Sequence, residues 1–493
     1  MAHREKCGPS RRRLRIGPDP AGVRCVSDAA TFARTAVVRL SAIEFWERYS
    51  YYTTFTLLAL FASAPVASGG LGWSAPQSLR FFGVYLLAVQ VTPIVGGWAA
   101  DRVIGMGRSL RLGAAALVAG HSLLAVAATL PWLVLGDGFR LLDHVAGAGL
   151  TMATFDPAGL KGAAATRYLL LSMCFYLGVA AIALGNGLFK PILTVIVGRL
   201  PHPDAAARTA AFTTFFLYIN IGGLLSVLLG GWLAQNYGWA WAFAGSAMGM
   251  AIAIVTALAL NDRYISPFTE RGGMAHDDTR DPSADDKPFV ISVALLLALL
   301  VLCSTFSFQS YGFVSLFTAR FVARDVSGFV IPPAWFTALN PITIMILTPL
   351  LLRWWKRGGP GSSWSTVQHI AAALLLMAIG FLPLVAAART TAEKGLASPL
   401  WVAASIMAIA ASELLYSPAG MAASTRLAPA RYATLAIGSQ GAAIGLGAWL
   451  SGQLGAVAFE GDKASVMGMI ALATSLAGGA LLLGRRMFAR FDL

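Results

Sequence analysis

The sequence predicts an all-α polytopic membrane protein of about twelve transmembrane helices, arranged as two bundles of six. The first observation is composition: of 493 residues, 57% are hydrophobic and 12% are charged, whereas soluble proteins carry about 25% charged residues. The second is a series of apolar stretches, each at least as long as the roughly 20 residues that a helix needs to cross a bilayer. The third is the most polar internal stretch, 261–287, which leaves six spans on either side.

The predicted spans are separated mostly by short connections. They are 39–64, 79–100, 110–135, 167–197, 208–235, 239–260, 289–323, 333–354, 365–388, 399–424, 432–458 and 464–485. The predicted regions are a basic cytoplasmic tail (1–37), an N-terminal six-helix bundle (38–261), a polar cytoplasmic linker (262–287) and a C-terminal six-helix bundle (288–493). An irregular insertion at 136–165 is predicted to form a loop outside the membrane.

Basic residues cluster on one side of this topology. Arg12 and its neighbours precede the first span, Arg108 lies between the second and third, Arg353 follows the eighth, and Arg486 lies near the end. Because cytoplasmic loops carry the excess of Lys and Arg, both termini are predicted to be cytoplasmic, in a plasma (inner) membrane protein. The net charge of +14 is explained by these loops, and we expect no nucleic-acid partner. The tail lacks an apolar core and a cleavage site, so we expect a disordered extension and no cleaved signal peptide.

Three charged residues, Glu44, Glu47 and Arg48, lie within the first apolar span. Each ionised group at the centre of a membrane costs about 2.5–3.5 kcal/mol on insertion scales, so such residues persist mainly where they pair or line an aqueous cavity. Spacings of three and four residues place all three on one side of a helix. Two carboxylates that compete for one guanidinium need not both remain ionised. The pattern therefore predicts a proton-binding site.

Two further charged residues lie in apolar spans. Lys190 precedes Pro191, which interrupts the helical hydrogen bonds and allows the fourth span to bend; the alternative is a lysine that snorkels from a helix end. Glu413 is the acidic residue of the tenth span, and the alternative is a carboxylate hydrogen-bonded inside the C-terminal bundle. Together with Arg48, these residues predict a polarised cavity suited to a zwitterion, its carboxylate toward the first bundle and its ammonium toward the second.

Several motifs in these spans resemble one family. The main ones are Glu-x-x-Glu-Arg-aromatic-x-Tyr-Tyr at 44–52, Gly-x-x-x-Asp-Arg-x-x-Gly at 97–105, Gly-x-Gly-x-x-Lys-Pro at 185–191 and Glu-x-x-x-Ser-Pro at 413–418. Asn220, in Ile-Asn-x-Gly, and Asn340, in Leu-Asn-Pro, add weaker matches. In this order they are similar to the proton-coupled oligopeptide transporters, a branch of the major facilitator superfamily. The resemblance implies the major facilitator fold, with substrate bound between the two bundles.

The resemblance also implies roles for individual residues. Proton coupling is expected of Glu44, Glu47, Arg48 and Lys190. Substrate binding is expected of Tyr51, Tyr52, Tyr85, Asn220, Gln309, Asn340, Glu413 and Ser417. Gating is expected of Asp101, Arg102 and Pro191, with the aspartate capping a neighbouring helix. No catalytic residue, metal ligand or cofactor is expected, and the proton is the coupling ion.

The chain departs from the family pattern in the expected pocket. Peptide-transporting relatives usually carry a second first-helix arginine seven positions after the first, where this chain has Phe55. Gln90 stands where a second-span tyrosine is usual, and Phe308 stands where an acidic residue usually precedes Gln309. An eleventh-span tryptophan has no counterpart near Ser439. The residues expected to couple protons are thus intact, while several of those expected to bind substrate are altered.

The hypothesis from these patterns is a proton-coupled symporter, not an enzyme, that imports di-/tripeptides or peptide-like small molecules by alternating access. Its expected partners are a small peptide, protons and the lipid bilayer, and we expect a functional monomer. One alternative is a divergent member that moves a non-standard solute or exports a peptide-like natural product. The other is a transport-inactive membrane receptor or scaffold. His121 and His369 are interpreted as packing residues that could also titrate, and the glycines of the eleventh span as packing positions.

Overall fold

The structure, a computed structural model, describes residues 20–65, 68–129, 162–201, 204–269, 287–427 and 433–491. Its long helices are α1 Pro20–Ser63, α2 Ala75–Ala99, α3 Met106–Ala128, α4 Ala163–Arg199, α5 Ala205–Leu225, α6 Trp239–Leu260, α7 Lys287–Ser307, α8 Leu339–Lys356, α9 Thr366–Lys394, α10 Pro399–Leu427, α11 Ala433–Glu460 and α12 Lys463–Leu483. A small antiparallel hairpin, β1 Asp325–Val326 and β2 Phe329–Val330, lies between α7 and α8. The predicted outer loop at 136–165 falls almost wholly outside the described residues.

Several helices continue beyond these bounds through tighter or wider turns. The continuations are Ala100–Ile104 after α2, Ser226–Gly230 and Gly231–Asn236 after α5, Asn261–Ile265 and Ser266–Thr269 after α6, Phe308–Ser310 and Phe313–Phe321 after α7, Pro333–Ala338 before α8, and Arg485–Phe488 and Ala489–Phe491 after α12. The predicted linker therefore begins as a helical extension of α6, and its central part, 270–286, lies outside the described residues.

Helix starts follow from local capping chemistry. Ser74 and Gln77 form a reciprocal capping box at α2, in which Ser74 Oγ accepts from the Gln77 amide and Gln77 Oε1 accepts from the Ser74 amide. Ser365 and Gln368 do the same at α9. Asp204 accepts from the backbone of Ala207 at the start of α5. These caps satisfy backbone N–H groups that have no partner within the helix.

The predicted membrane architecture is confirmed. Eleven helical segments in the described residues are long and apolar enough to cross a membrane. Helix α1 is longer still, and it differs in carrying Glu44, Glu47 and Arg48 within its apolar part. The chain is therefore an all-α integral membrane protein with twelve long helical elements in its described part.

The disorder predicted for the tail is wrong from residue 20 onward. Helix α1 begins at Pro20, inside the predicted tail, and proline is favoured at the first position of a helix because it has no N–H to leave unpaired. The extension packs on the end of α6, where the rings of Phe32 and Tyr264 stack 5.3 Å apart and Arg39 lies over the Tyr264 ring. This contact could not be read from composition alone.

Each half of the chain has its own hydrophobic core. The first core is drawn mostly from α1 to α6, and the second from α7 to α12. Helices α2 and α11 join the bundles through small residues: a Cβ at Gly452 would lie 2.5 Å from Leu79 O, and one at Gly445 would lie 2.9 Å from Gln90 Cβ. The glycines of the eleventh span therefore serve close packing, as predicted.

Polar contacts also join the two bundles at one end of the molecule. They are the bond from Arg320 Nη2 to Ser63 O (3.1 Å), the bond from Trp335 Nε1 to Leu228 O (2.8 Å) and the Arg80–Glu460 ion pair (2.7 Å). All lie near the turns that follow α1, α5, α7 and α11. The bundles are thus held together at the end that the sequence assigns to the outer face.

Candidate functional site

Helix α1 presents its three charged residues as a buried cluster. Glu44, Glu47 and Arg48 are 3%, 1% and 3% exposed. Arg48 Nη2 donates to Glu47 Oε1 over 2.7 Å, its Nε also bonds Glu47 Oε2, and Nε lies 3.1 Å from Glu44 Oε1. Glu44 Oε2 is buried and has no hydrogen-bond partner among the described residues. One guanidinium thus serves two carboxylates and leaves one oxygen unsatisfied.

Lys190 of α4 lies within electrostatic range of this cluster. It interacts with the charges of Glu44, Glu47 and Arg48, although it forms no ion pair within 4 Å in the described part of the chain. The sequence prediction that this lysine faces the first-helix acids agrees with that placement. Lys190 is a second cation near the two glutamates, so it shares with Arg48 the negative charge that they carry.

The backbone around Lys190 is held by its neighbours. Helix α4 continues through Pro191, which has no N–H to donate to Gly187 O. That carbonyl lies against α2, where a Cβ at Gly96 would come within 2.2 Å of it. Ser109 Oγ of α3 donates to Leu188 O over 3.0 Å. These contacts with α2 and α3 fix the position of the α4 backbone at Lys190, beside α1.

Aromatic rings continue the same face of α1. Arg48 lies over the Tyr51 ring, 5.0 Å from its centroid, and the rings of Tyr51 and Tyr52 meet edge to face at 5.1 Å. Tyr85 of α2 is buried, interacts electrostatically with Tyr51, and its hydroxyl has no partner among the described residues. Phe55 follows one turn later and is 5% exposed. The three predicted tyrosines therefore lie together beside the charged cluster.

Glu413 of α10 is bonded through both carboxylate oxygens. Ser307 Oγ of α7 donates to Oε1, and Asn340 Nδ2 of α8 donates to Oε2 over 3.2 Å. Ser417 lies one turn further along α10 and is part-buried. Tyr52 interacts electrostatically with Glu413 as well as with the charges of α1. The acidic end of the site in the second bundle therefore lies within reach of the first.

Two predicted binding residues bond elsewhere in this conformation. Asn220 Nδ2 donates to Phe216 O of its own helix over 2.8 Å. Gln309 is fully buried, and its amide donates to Ser451 O of α11 over 2.9 Å. Both side chains are engaged with backbone carbonyls of the protein, and their binding roles stay predictions.

The predicted gating residues of the α2–α3 connection are exposed. Asp101 and Arg102 lie in the π turn after α2, and their side chains form no hydrogen bond or ion pair within the described ranges. Helix α3 starts after Gly105, whose φ of 82° needs glycine, and no side chain caps it. Among the described residues Asp101 caps no helix, and its capping and gating roles stay predictions.

Sequence reasoning missed two residues of the site, Ser307 and Tyr311. Helix α7 gives way after Ser307 to a single 3₁₀ turn and resumes at Phe313. Tyr311, in this break, interacts electrostatically with Glu413 and Tyr52. A signal was present, because Ser304, Ser307 and Tyr311 repeat at helical spacing in an apolar span.

A surface cavity of about 470 Å³ on α5, near Arg208, is lined by none of the predicted site residues.

Comparisons with known proteins cover most of the chain. Residues 108–277 and 278–470 match the POT family. The chain is 26% identical to the peptide transporter YePEPT of Yersinia enterocolitica over 481 residues, which cover 84% of this chain and 85% of that protein. It is 24% identical to a di-/tripeptide transporter of Lactococcus lactis over 469 residues, with coverages of 80% and 84%.

Solved structures give the fold. A crystal structure of the peptide transporter POT in complex with sulfate superposes with a TM-score of 0.77 at 22% identity, covering 93% of this chain and 95% of that one. Another, of a POT family transporter with 5-aminolevulinic acid, superposes with a TM-score of 0.74 at 18% identity, covering 92% and 96%. This likeness confirms the major facilitator fold predicted from the sequence.

Proposed function

Because the chain belongs to the POT family, we propose that it is a proton-coupled symporter that imports di-/tripeptides or peptide-like small molecules by alternating access. The relatives named above as peptide and di-/tripeptide transporters support this substrate class. The family is one of transporters, so transport rather than catalysis is the activity assigned to this integral membrane protein. The proton, and no other cofactor, is the proposed coupling ion.

One observation carries the proposal: Arg48 pairs with both Glu44 and Glu47, while Glu44 Oε2 is buried and has no hydrogen-bond partner in the part of the chain that the structure describes. A buried carboxylate oxygen that lacks a partner is costly when ionised. A proton on that oxygen removes this cost and weakens the hold of Glu44 on Arg48. We therefore assign the transported proton to Glu44, and Glu47 keeps the arginine in place.

Protonation then changes what the site can bind. With Glu44 neutral, Arg48 and Lys190 retain one carboxylate between them, and a donor becomes available to a carbonyl or carboxylate oxygen of the solute. In the other bundle, Glu413 is the acid that we propose binds an ammonium group of the solute. Proton and solute thus favour each other's binding, and by linkage the effect is reciprocal.

The contacts that join the two bundles at one end support an orientation of the transporter in the membrane. The positive-inside rule predicts that both termini are cytoplasmic, so we propose that the contacts between Arg80 and Glu460 and between Arg320 and Ser63 close the transporter toward the outer side of the membrane. The two cores that fill the separate bundles support alternating access within one protomer. We therefore propose that a monomer carries out the full cycle.

Counterflow in proteoliposomes tests the substrate class. Vesicles loaded with an unlabelled di- or tripeptide should exchange it for labelled peptide outside, without any pH gradient. Exchange of no member of a di- and tripeptide library would contradict transport of di- and tripeptides and leave a non-standard solute or a receptor or scaffold as the alternatives. A second candidate, transport of a non-standard peptide-like solute, is favoured by the aromatic rings around Phe55.

A further inference from the structure

Phe55 is the centre of an aromatic cluster that belongs to both bundles. Its ring lies 5.9 Å from that of Tyr52, 5.6 Å from Phe82 of α2 and 4.9 Å from Tyr311 of α7. The Tyr311 ring also lies 5.8 Å from that of Phe308. Such spacings are those of aromatic pairs that attract each other. The surface between the two charged ends of the site is therefore built from rings.

The break in α7 places this cluster beside an acid. Tyr311 precedes Gly312, the residue before the helix resumes at Phe313, and it interacts electrostatically with Glu413 and with Tyr52. A solute whose ammonium group binds Glu413 therefore has aromatic rings next to that ammonium. An aromatic or large apolar side chain on the same residue of the solute would lie against Phe55 and Tyr311.

The charges of the site do not favour an additional carboxylate. Glu44, Glu47 and Glu413 are three acids, and Arg48 and Lys190 are two bases, so the fully ionised group carries one net negative charge. One bound proton brings it to neutrality. Arg48 pairs with both neighbouring glutamates. Glu47 keeps its pair with Arg48 when Glu44 is protonated, so a free carboxylate of the solute must compete with Glu47 for the guanidinium. A neutral amide or ester at that position does not have to compete with a glutamate for Arg48.

We propose that this transporter selects amine-bearing peptides and peptide-like solutes by an aromatic or large apolar side chain next to the amino group, with no requirement for a free carboxylate. Phe55 and Tyr311 are the specificity-determining residues. The proposal rests on the proposed function and narrows it to this class. A neutral carboxyl end, such as an amide, is accepted because the first bundle offers rings and a paired arginine.

Four related probes separate the two halves of the proposal. They are the dipeptides Phe-Ala and Ala-Ala and the carboxyl amide of each. The dissociation constant of each probe is measured on the purified full-length protein. We expect Phe-Ala to bind at least tenfold tighter than Ala-Ala, which corresponds to about 1.4 kcal/mol. Amidation should change either affinity less than threefold. Equal binding of Phe-Ala and Ala-Ala, or a tenfold loss on amidation, would overturn the proposal and leave peptide transport standing.

Variants test whether the rings are responsible. Phe55→Leu and, independently, Tyr311→Leu should reduce the preference for Phe-Ala over Ala-Ala to below threefold. The matched control is Phe61→Leu, since Phe61 is also buried on α1 but packs with Trp239 and Phe243 inside the first bundle. It should keep the full preference.

The outcomes distinguish the inference from the function on which it rests. If both Phe55→Leu and Tyr311→Leu are folded and keep the wild-type preference, the assignment of specificity is wrong. If either fails to fold, the other variant and the four wild-type affinities still decide the proposal. Failure of all four probes to bind the wild-type protein would overturn the proposed peptide function together with this inference.

Discussion

Arg48 Nε lies 3.1 Å from Glu44 Oε1, while the second oxygen of that carboxylate is buried with no partner among the described residues. Glu47, one residue before Arg48, is bonded to it through both oxygens. The two glutamates are therefore chemically unequal although both contact the same guanidinium. This inequality is the basis for assigning the moving proton to Glu44.

Removing the shared guanidinium should be severe. Arg48→Ala leaves two buried carboxylates without their main partner, and breaking a buried pair in this way costs about 3–5 kcal/mol. We expect a large fall in the thermal unfolding temperature and no uptake. Arg80→Ala is the control, because the Arg80–Glu460 pair is about half exposed and such pairs contribute about 0–1 kcal/mol. Equal stability of the two variants would contradict the buried cluster.

Glu413 should act on the amino end of the solute. Glu413→Gln replaces a charge-assisted bond of about 1.5–3 kcal/mol, so affinity for a free amine should fall roughly ten- to over a hundredfold. An N-acetylated analogue, which has no ammonium group, should bind the wild type and the variant alike. Equal loss for both ligands would instead mean that Glu413 serves to hold Ser307 and Asn340.

The hydrogen bond between His121 of α3 and Thr54 of α1 should contribute to the free energy of unfolding. His121 is fully buried, its Nδ1 lies 3.1 Å from Thr54 Oγ1, and Nε2 has no partner among the described residues. Thr54→Val leaves Nδ1 unpaired as well, at a cost of about 1–3 kcal/mol in the free energy of unfolding. Thr54→Ser keeps the hydroxyl and should unfold close to the wild type. Matching stabilities for Val and Ser would remove this hydrogen bond from the account.

The contact of α2 with α4 gives a matched pair of glycines. A Cβ at Gly96 would lie 2.2 Å from Gly187 O, whereas a Cβ at Gly97 would meet no atom of the described residues within 4 Å. Gly96→Ala should push α2 away from the segment that carries Lys190 and reduce both stability and uptake. Gly97→Ala should be close to neutral in both assays. Wild-type behaviour of Gly96→Ala would show that the two helices are not held this closely.

Much of the site could be predicted because charges in apolar spans are rare and expensive. Glu44, Glu47 and Arg48 were placed on one helix face by their spacing alone, and the structure confirms that they form one buried cluster. The bonding of Glu413 to Asn340 joins two residues that were selected from separate motifs. Helical periodicity and the cost of a buried charge were sufficient in these cases.

The rest depended on irregular backbone and on contacts distant in sequence. Tyr311 reaches Phe55 because α7 breaks after Ser307, and no proline marks that break. The early start of α1 depends on the stacking of Phe32 on Tyr264, across more than 200 residues. Gln309 was predicted to bind substrate. Its amide instead donates to Ser451 O, because the turn after α7 directs it toward α11. Single-sequence patterns carry no information on such pairings.

Peptide accumulation driven by an imposed pH gradient tests the central claim most directly. Proteoliposomes containing the wild-type protein, acidic on the substrate side, should accumulate a labelled aromatic dipeptide above the external concentration and lose it when a protonophore collapses the gradient. Glu44→Gln should abolish accumulation but retain counterflow, while Glu393→Gln, which alters an exposed acid near the end of α9, should accumulate normally. Accumulation by Glu44→Gln at the wild-type level, or wild-type uptake that does not respond to the gradient, would contradict proton coupling through this cluster.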